Sequence, residues 1–464
     1  MTSVPPSPTT LGALRGSGYV SRTVKEEIRT NLVDRLRSGQ HAFPGIVGFD
    51  DTVLPELERS LLAGHDVVLL GERGQGKTRL MRTLAGLLDE WNPEVAGCEI
   101  HDDPYTPVCV RCRRLAAELG DDLPVEWRHR DDRYTEKLAT PDTSVGDLIG
   151  DVDPVKVAQG RTLGDPETVH YGLVPRTNRG IFALNELPDL AERIQVALFN
   201  VLEERDIQVR GYSLRLPLDV LLVVTANPED YTNRGRIITP LKDRFGAEIR
   251  THYPTEVADE IRLINQEAEV VAEVPEHLLE VLARFTRSLR ESTSIDHRSG
   301  VSARFAIAAA ESVSASALRR AARVGDAEIV ARVCDVAPVV PTLLGKIEFE
   351  MGEEGREVQV LDHLLLVAIA DTFRSRTVGL DLTGFTDLFA EGSYVETGPL
   401  VPATELLGQF GSIPGLSKLL DRLGHGDDAS PGEVAAAVEL VLEGLHLTRR
   451  IDKTMVDGRS VYGA

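Results

Sequence analysis

The run Gly71-Glu72-Arg73-Gly74-Gln75-Gly76-Lys77-Thr78 constrains this 464-residue chain more than any other feature. It has the spacing of a phosphate-binding loop: glycine, four residues, glycine, lysine, then serine or threonine. The glycines let backbone N–H groups turn inward on a β-phosphate, and the Lys77 ammonium neutralises β/γ oxygens. The Thr78 hydroxyl offers an oxygen to Mg²⁺ at a helix N-terminus whose dipole favours anions. Val67–Leu70 ahead of the loop reads as a buried strand and Thr78–Asp89 behind it as a helix, a β-loop-α unit of a parallel sheet. Mg·ATP is therefore the expected ligand, cradled by Gly71–Thr78.

Such a loop needs a second apolar strand that delivers an acid to metal and water. Gly180-Ile181-Phe182-Ala183-Leu184-Asn185-Glu186 ends that way. Glu186 is the candidate general base. Asn185 stands where an Asp would ordinarily hold Mg²⁺ through its water shell. Its amide oxygen accepts from that water without contributing charge, so Asn185→Asp is expected to strengthen Mg²⁺ dependence. The competing reading is an ordinary strand that runs into a helix cap.

The rest of the pattern is an α/β core followed by helices. Residues 1–18, rich in Pro, Ser, Thr and Gly, read as mobile, and Thr23-Val24-Lys25-Glu26 reads as a capping box opening a helix toward Leu36. A helix is expected over about Asp51–Ala63, another through Ile194, Ala197, Leu198, Val201 and Leu202, and a further buried strand over Val220–Thr225. Ile207–Arg210 and Ser213–Leu216, around Gly211-Tyr212, form a β-hairpin by pattern. Strand signals stop after Pro254. Ala258–Glu269, His277–Leu289, Ser302–Val324 and Val360–Thr372 are helical in period. The divisions expected are an N-terminal extension over 1–40, a nucleotide-binding core over 41–255 with an insertion over 92–130, a helical lid over 256–340, and a mainly helical C-terminal region over 341–464.

Charge excludes one class of partner. With 51 basic against 73 acidic residues the net charge is −22, which repels phosphate backbones, so no nucleic-acid partner is expected. The N-terminus lacks a secretion signal and no apolar run reaches membrane-spanning length, so the expectation is a cytoplasmic protein without membrane contact. Three of the four cysteines fall close together. Cys98-Glu99-Ile100-His101 and Cys109-Val110-Arg111-Cys112 present two ligand pairs, each with a two-residue spacer, that tetrahedral Zn²⁺ would accept. Cys98, His101, Cys109 and Cys112 are thus candidate ligands of a structural zinc; the alternative is three reduced thiols and an exposed histidine in a loop.

Further motifs follow in a specific order. These are Thr143-Ser144-Val145-Gly146-Asp147-Leu148-Ile149-Gly150-Asp151-Val152-Asp153, Tyr171-Gly172-Leu173-Val174-Pro175-Arg176-Thr177-Asn178-Arg179-Gly180, Val223-Val224-Thr225-Ala226-Asn227-Pro228-Glu229, Leu241-Lys242-Asp243-Arg244-Phe245 and Ser299-Gly300-Val301-Ser302-Ala303-Arg304. Over about residues 43–310 the chain resembles the AAA+ ATPase (I) subunit of magnesium chelatase and its MoxR-type relatives. The first two runs look like that family's insertion and the lead-in to its Walker B strand. The others are similar to its sensor-1 strand, its Leu-x-Asp-Arg-Phe arginine-finger segment and the start of its sensor-2 helix. The resemblance implies a P-loop AAA+ core, a parallel sheet flanked by helices, with a helical lid and a mainly helical C-terminal region behind it.

It also implies roles. Asn227 would orient the attacking water, Arg244 would reach into a neighbouring subunit's site, and Arg304 would sense the phosphate from the lid. Without the resemblance, Asn227-Pro228 is a turn, Arg244 a surface ion pair and Arg304 a helix-face arginine. The family's usual Asp is Asn185 here, which bears on hydrolysis more than on binding. The family further implies a self-assembled ring of six subunits that hydrolyses ATP to ADP and phosphate. Work would pass through the hairpin and the Gly146–Gly172 segment to a partner carrying a von Willebrand A-type domain, in metal insertion or metalloprotein maturation. Two other readings stay open. A nucleotide-binding scaffold with little hydrolysis is favoured by Asn185. A transcription-activating AAA+ protein would need a Gly-Ala-Phe-Thr-Gly-Ala client loop and a DNA-binding helix pair, neither visible in the sequence.

Overall fold

The computed structural model describes residues 4–158, 168–203, 206–209, 212–228, 237–296, 300–390, 392–410, 414–426 and 428–463. It divides into two compact units, residues 1–252 and 253–464. The first is built on a five-stranded sheet. Its strands are β1 (Val67–Leu70), β2 (Tyr134–Leu138), β3 (Gly180–Asn185), β4 (Val220–Ala226) and β5 (Ala247–Arg250), in spatial order β5-β1-β4-β3-β2. All neighbouring pairs are parallel.

The central strands β1, β3 and β4 are buried on both faces and read as apolar runs. Edge strands β2 and β5 were not expected from sequence. Tyr134-Thr135-Glu136-Lys137-Leu138 and Ala247-Glu248-Ile249-Arg250 carry too many polar residues, because an edge strand buries less of its surface.

Side chains of the sheet alternate between two cores. Val67, Leu69, Ile181, Ala183, Leu221, Val223 and Ile249 face one core, which helices Val24–Ser38, Val53–Ala63 and Lys77–Thr83 close with Ile28, Leu32, Leu57, Leu61, Leu80 and Met81. Val68, Leu70, Phe182, Leu184, Leu222 and Val224 face the other, closed by Ile194 and Leu198 of helix Glu192–Glu203, by Leu241, and by Val95, Ile100 and Leu123 of the insertion. The insertion is a two-stranded antiparallel ribbon, Trp91–Val95 with Val125–His129, and the chain between them.

Within the described part of the N-terminal segment, residues from Pro8 on are held. The capping box at Thr23 and Glu26 is present and opens helix Val24–Ser38. Contrary to the expected mobility, Leu11–Gly16 is helical; Leu11 N–H donates to Leu123 O at 2.9 Å and Trp127 Nε1 donates to Pro8 O at 2.7 Å, so the insertion holds the segment. The helix expected over Thr78–Asp89 ends at Thr83 and continues as a 3₁₀ turn, Leu84–Leu87. Carbonyls of that turn are taken by side chains of helix Val24–Ser38: Arg35 binds Gly86 O, and Asn31 Nδ2 binds Leu87 O at 2.9 Å. Strands Asp206–Val209 and Tyr212–Arg215 form the expected hairpin with Val209 opposite Tyr212; Gly211, in the expected turn, lies outside the described residues. Part of the Gly146–Gly172 segment, residues 159–167, also lies outside them.

The second unit is mainly helical. Helices Val257–Glu267, Glu276–Glu291, Ala303–Val324, Glu357–Thr377 and Pro431–Leu447 share one apolar core that extends from Ile264 to Tyr462. Strands do recur after Pro254: Val395–Thr397, Asp452–Val456 and Arg459–Gly463 form an antiparallel sheet. The sequence signal was Asp457-Gly458, both at positive φ (50° and 78°), a two-residue turn whose twist suits a hairpin. Among the described residues no helix is long and apolar enough to cross a membrane.

One buried ion pair fixes the N-terminal ends of β2 and β3. Arg133, 1% exposed, holds both Glu27 carboxylate oxygens at 2.8 and 2.7 Å and donates through Nε to Arg179 O at 2.9 Å. Removing one partner strands the other charge in a dry site. Arg133→Met is expected to cost about 3–5 kcal/mol by urea unfolding, while the double change Glu27→Leu/Arg133→Met recovers most of it. A double variant no more stable than the single one would refute this account of the pair.

Candidate functional site

The parallel register brings four strand ends to one edge of the sheet. Leu70 lies opposite Ala226 and opposite Arg250, and Leu184 opposite Val224. Gly71, Asn185-Glu186, Asn227 and Thr251 therefore leave the sheet side by side, at the carboxyl edge where ligands of parallel sheets bind. Gly71 N–H donates to Ala226 O at 3.1 Å and Thr251 N–H to Leu70 O at 2.8 Å. A Cβ at Gly71 would collide with Thr251 Oγ1 and Gln75 Oε1, so a side chain there would force both to move. Gly74 and Gly76 turn the loop at φ 74° and 77°. Buried Gln75 braces it, with Oε1 accepting from Glu72 N–H at 3.1 Å and Thr251 Oγ1 at 2.7 Å. Arg73 is exposed.

Lys77 and Thr78 open the following helix and are drawn to the other strands. Lys77 Nζ donates to the carbonyls of Gly71 and Glu72 and, at 3.0 Å, to Oδ1 of buried Asn227. Thr78 Oγ1 donates to Asn185 Oδ1 at 3.1 Å. Residues 150 and 107 positions apart thus meet at one loop. Glu186 follows β3 in a left-handed conformation, φ 58°, with its N–H bound to Thr225 Oγ1 at 2.9 Å. Thr225 Oγ1 in turn approaches Asn185 Oδ1 at 3.3 Å, so one β4 hydroxyl sets both residues at the end of β3.

Sequence reasoning missed Glu136. It stands on β2, and Asn185 Nδ2 donates to its Oε1 at 2.9 Å. Arg82 grips the same carboxylate through Nε and a terminal nitrogen at 2.7 and 3.0 Å, and Tyr134 OH reaches it at 3.2 Å. Hydrogen bonding from Arg82 holds the Glu136 carboxyl below the usual carboxylate range. The carboxylate absent at 185 therefore exists one strand away, joined through the Asn185 amide. Its only sequence trace was an acid in a short polar segment, which spacing alone does not connect to Thr78.

The remaining candidates are dispersed. Arg244 ends helix Thr239–Arg244 and pairs with Glu203 at 3.0 Å, both side chains partly exposed. Arg304 belongs to the second unit, exposed in the first turn of helix Ala303–Val324, with its N–H on Ser302 Oγ at 3.1 Å; Ser299 lies outside the described residues. Cys98, Cys109 and Cys112 come together, but the fourth group beside them is Asp102, not His101. The backbone is left-handed at His101, φ 54°, and its ring turns to Glu94, with Nδ1 at 3.0 Å from Oε1.

Comparison with known proteins finds distant relatives. The family described as Sigma-54 interaction domain matches residues 161–244, which contain β3, β4 and Arg244. The magnesium-chelatase 38 kDa subunit of Acidiphilium rubrum is 31% identical over 214 residues, 43% of this chain and 55% of that protein. The magnesium-chelatase subunit ChlI of Anabaena variabilis is 28% identical over 206 residues, 44% of this chain and 57% of that protein. The chain thus spans a little over half the length of these relatives. A solved structure titled as the complex between subunits BchI and BchD of magnesium chelatase superposes loosely, with a TM-score of 0.36 at 21% identity over 68% of this chain and 98% of that one.

The geometry sets Glu136 against any acid at position 185. An acid there would lose the bond its amide donates and set a second carboxylate about 3 Å from Glu136, so the two could not both ionise freely. In a Mg²⁺ titration of nucleotide binding, Asn185→Asp is expected to raise the Mg²⁺ requirement about tenfold, and adding Glu136→Gln to relieve it. A single Asn185→Asp variant with a lower Mg²⁺ requirement than the native chain would defeat this reading.

Proposed function

From the premise that this chain is an AAA+ P-loop protein resembling the magnesium chelatase I subunit, we propose that it is a cytoplasmic Mg·ATP-dependent ATPase that acts as a ring, ATP + H₂O giving ADP and phosphate. The observation that carries the reading is the convergence of Lys77, Thr78, Asn185, Glu186 and Asn227 at one sheet edge. Loop N–H groups and Lys77 receive the β- and γ-phosphates. Asn227, held against Lys77 at 3.0 Å, would orient the attacking water. Glu186 takes that water's proton, from a backbone conformation that Thr225 braces.

The donors near Thr78 suit a hard cation. Thr78 offers a hydroxyl oxygen, Asn185 an amide oxygen and Glu136, behind it, a negative charge, all oxygen groups of the kind Mg²⁺ takes directly or through water. When bound, Mg²⁺ offsets charge on the β- and γ-phosphates. Arg82 partly neutralises Glu136 and sets its orientation.

Arg244 is the residue by which one subunit completes another's site. Its pair with Glu203 is partly exposed, an interaction worth about 0–1 kcal/mol, so a neighbour's phosphate could displace it at little cost. Arg304 is assigned phosphate sensing from motif order. The ring is proposed as a hexamer acting on a partner with a von Willebrand A-type domain, in metal insertion or metalloprotein maturation. The Sigma-54 interaction match favours a transcription activator as the second reading, but the sequence has no Gly-Ala-Phe-Thr-Gly-Ala run.

Two experiments test the proposal. Glu186→Gln should bind ATP as the native chain does while turnover falls about 10²–10⁴-fold, since an amide cannot accept the proton; unchanged turnover would remove Glu186 as base. Lys77→Ala should not bind nucleotide, and Arg244→Ala should bind it but lose about 10³-fold in turnover. Mixed together, the two inactive proteins should regain activity, because one supplies the loop and the other the finger. Co-assembly without recovery would refute the action of Arg244 in a neighbour's site.

A further inference from the structure

The insertion holds a cluster that nucleotide chemistry does not use. Cys98, Asp102, Cys109 and Cys112 are all buried, and their ligand atoms lie within 4.8 Å of one another. Asp102 is 0% exposed. Its Oδ2 accepts the Cys109 N–H at 2.9 Å, whereas Oδ1 has no hydrogen-bond partner. A buried carboxylate oxygen left so is costly, and a cation is the partner that would relieve it. Donors already point at the sulfurs. Asp102 N–H points to Cys98 Sγ at 3.4 Å, Cys112 N–H to Cys109 Sγ at 3.2 Å, and the Arg111 guanidinium lies 3.9 Å from Cys112 Sγ.

We propose that Cys98, Asp102, Cys109 and Cys112 form a mononuclear structural Zn²⁺ site in which Asp102 supplies the fourth ligand. Three sulfurs and one oxygen make a donor set of tetrahedral Zn²⁺, and with metal–sulfur bonds near 2.3 Å neighbouring sulfurs stand about 3.8 Å apart. A cluster of atoms within 4.8 Å matches one ion and leaves no room for the body of an iron–sulfur cluster. Four protein ligands leave no open position, which makes the site structural. The ion ties the turn after Val95 to helix Val110–Leu119, whose N-cap is Cys109. That turn and the strand before it support the start of β3: Asn178 Nδ2 donates to Ile100 O at 3.0 Å, and Arg179 binds Pro93 O. Zinc would thereby hold the far end of the strand that delivers Asn185 and Glu186.

The test uses the whole chain with zinc as the probe. Protein purified without chelators should carry one zinc per chain by plasma mass spectrometry, and its cobalt(II) form should show the thiolate charge-transfer bands of a tetrahedral site. In chelator competition Asp102→Ala should weaken zinc binding about 100-fold or more, His101→Ala should leave it within about twofold, and Asp102→Cys should restore it. If Asp102→Ala does not fold, the native stoichiometry and Asp102→Cys still decide. The proposal falls if the native protein is metal-free with all three thiols open to alkylation, if Cys109 and Cys112 are found as a disulfide without metal, or if His101→Ala loses zinc as Asp102→Ala does.

Discussion

Leu70 paired to Ala226 on one side and Arg250 on the other is the contact on which the rest of the first unit turns. Two hydrogen bonds carry the ladder just past the strand, from Gly71 N–H to Ala226 O and from Thr251 N–H to Leu70 O. The chain must then leave the sheet in a space already filled by Thr251 and Gln75. A Cβ there would displace both side chains, so glycine at this position keeps the loop close over the sheet edge. A one-residue slip of β4 against β1 would exchange the two faces of β4, burying the wrong side chains and moving Asn227 away from Lys77.

The polar edge has its own logic. Asn185 accepts from Thr78 and Thr225 and donates to Glu136, three bonds that use both ends of one amide. A carboxylate at 185 would be an acceptor only and would face another acceptor. The neutral residue is thus matched to an acid on the adjacent strand, with Arg82 as that acid's counter-ion. Charge near the Thr78 hydroxyl is not lost from this chain but displaced by one strand spacing.

Support for the edge comes from parts that lie outside the motifs. Glu27, on the helix after the N-terminal segment, meets Arg133, 106 residues away, where β2 begins, and Arg133 also holds the carbonyl ahead of β3. The insertion contributes Cys98, Cys109 and Cys112 to the same apolar core as Val68, Phe182 and Val224. Both devices act at the amino ends of the strands, while the candidate nucleotide-site groups gather at the carboxyl ends. The strands transmit position from one to the other because, buried on both faces, they cannot shift without repacking two cores.

What the sequence determined alone was whatever is encoded locally. β1, β3 and β4 are legible because a strand buried on both faces is an unbroken apolar run, the loop because its glycines and lysine have fixed spacing, and helix Val24–Ser38 because Thr23 and Glu26 cap it within one turn. The Asp457-Gly458 turn was equally local and was passed over. Tertiary structure decided the rest: that polar β2 and β5 complete the sheet, that Glu136 stands behind Asn185, and that a left-handed backbone at His101 puts Asp102, one residue on, beside the thiols. A side chain's partner across the fold depends on register, burial and backbone direction together, and none of these is carried by the spacing of residues along the chain.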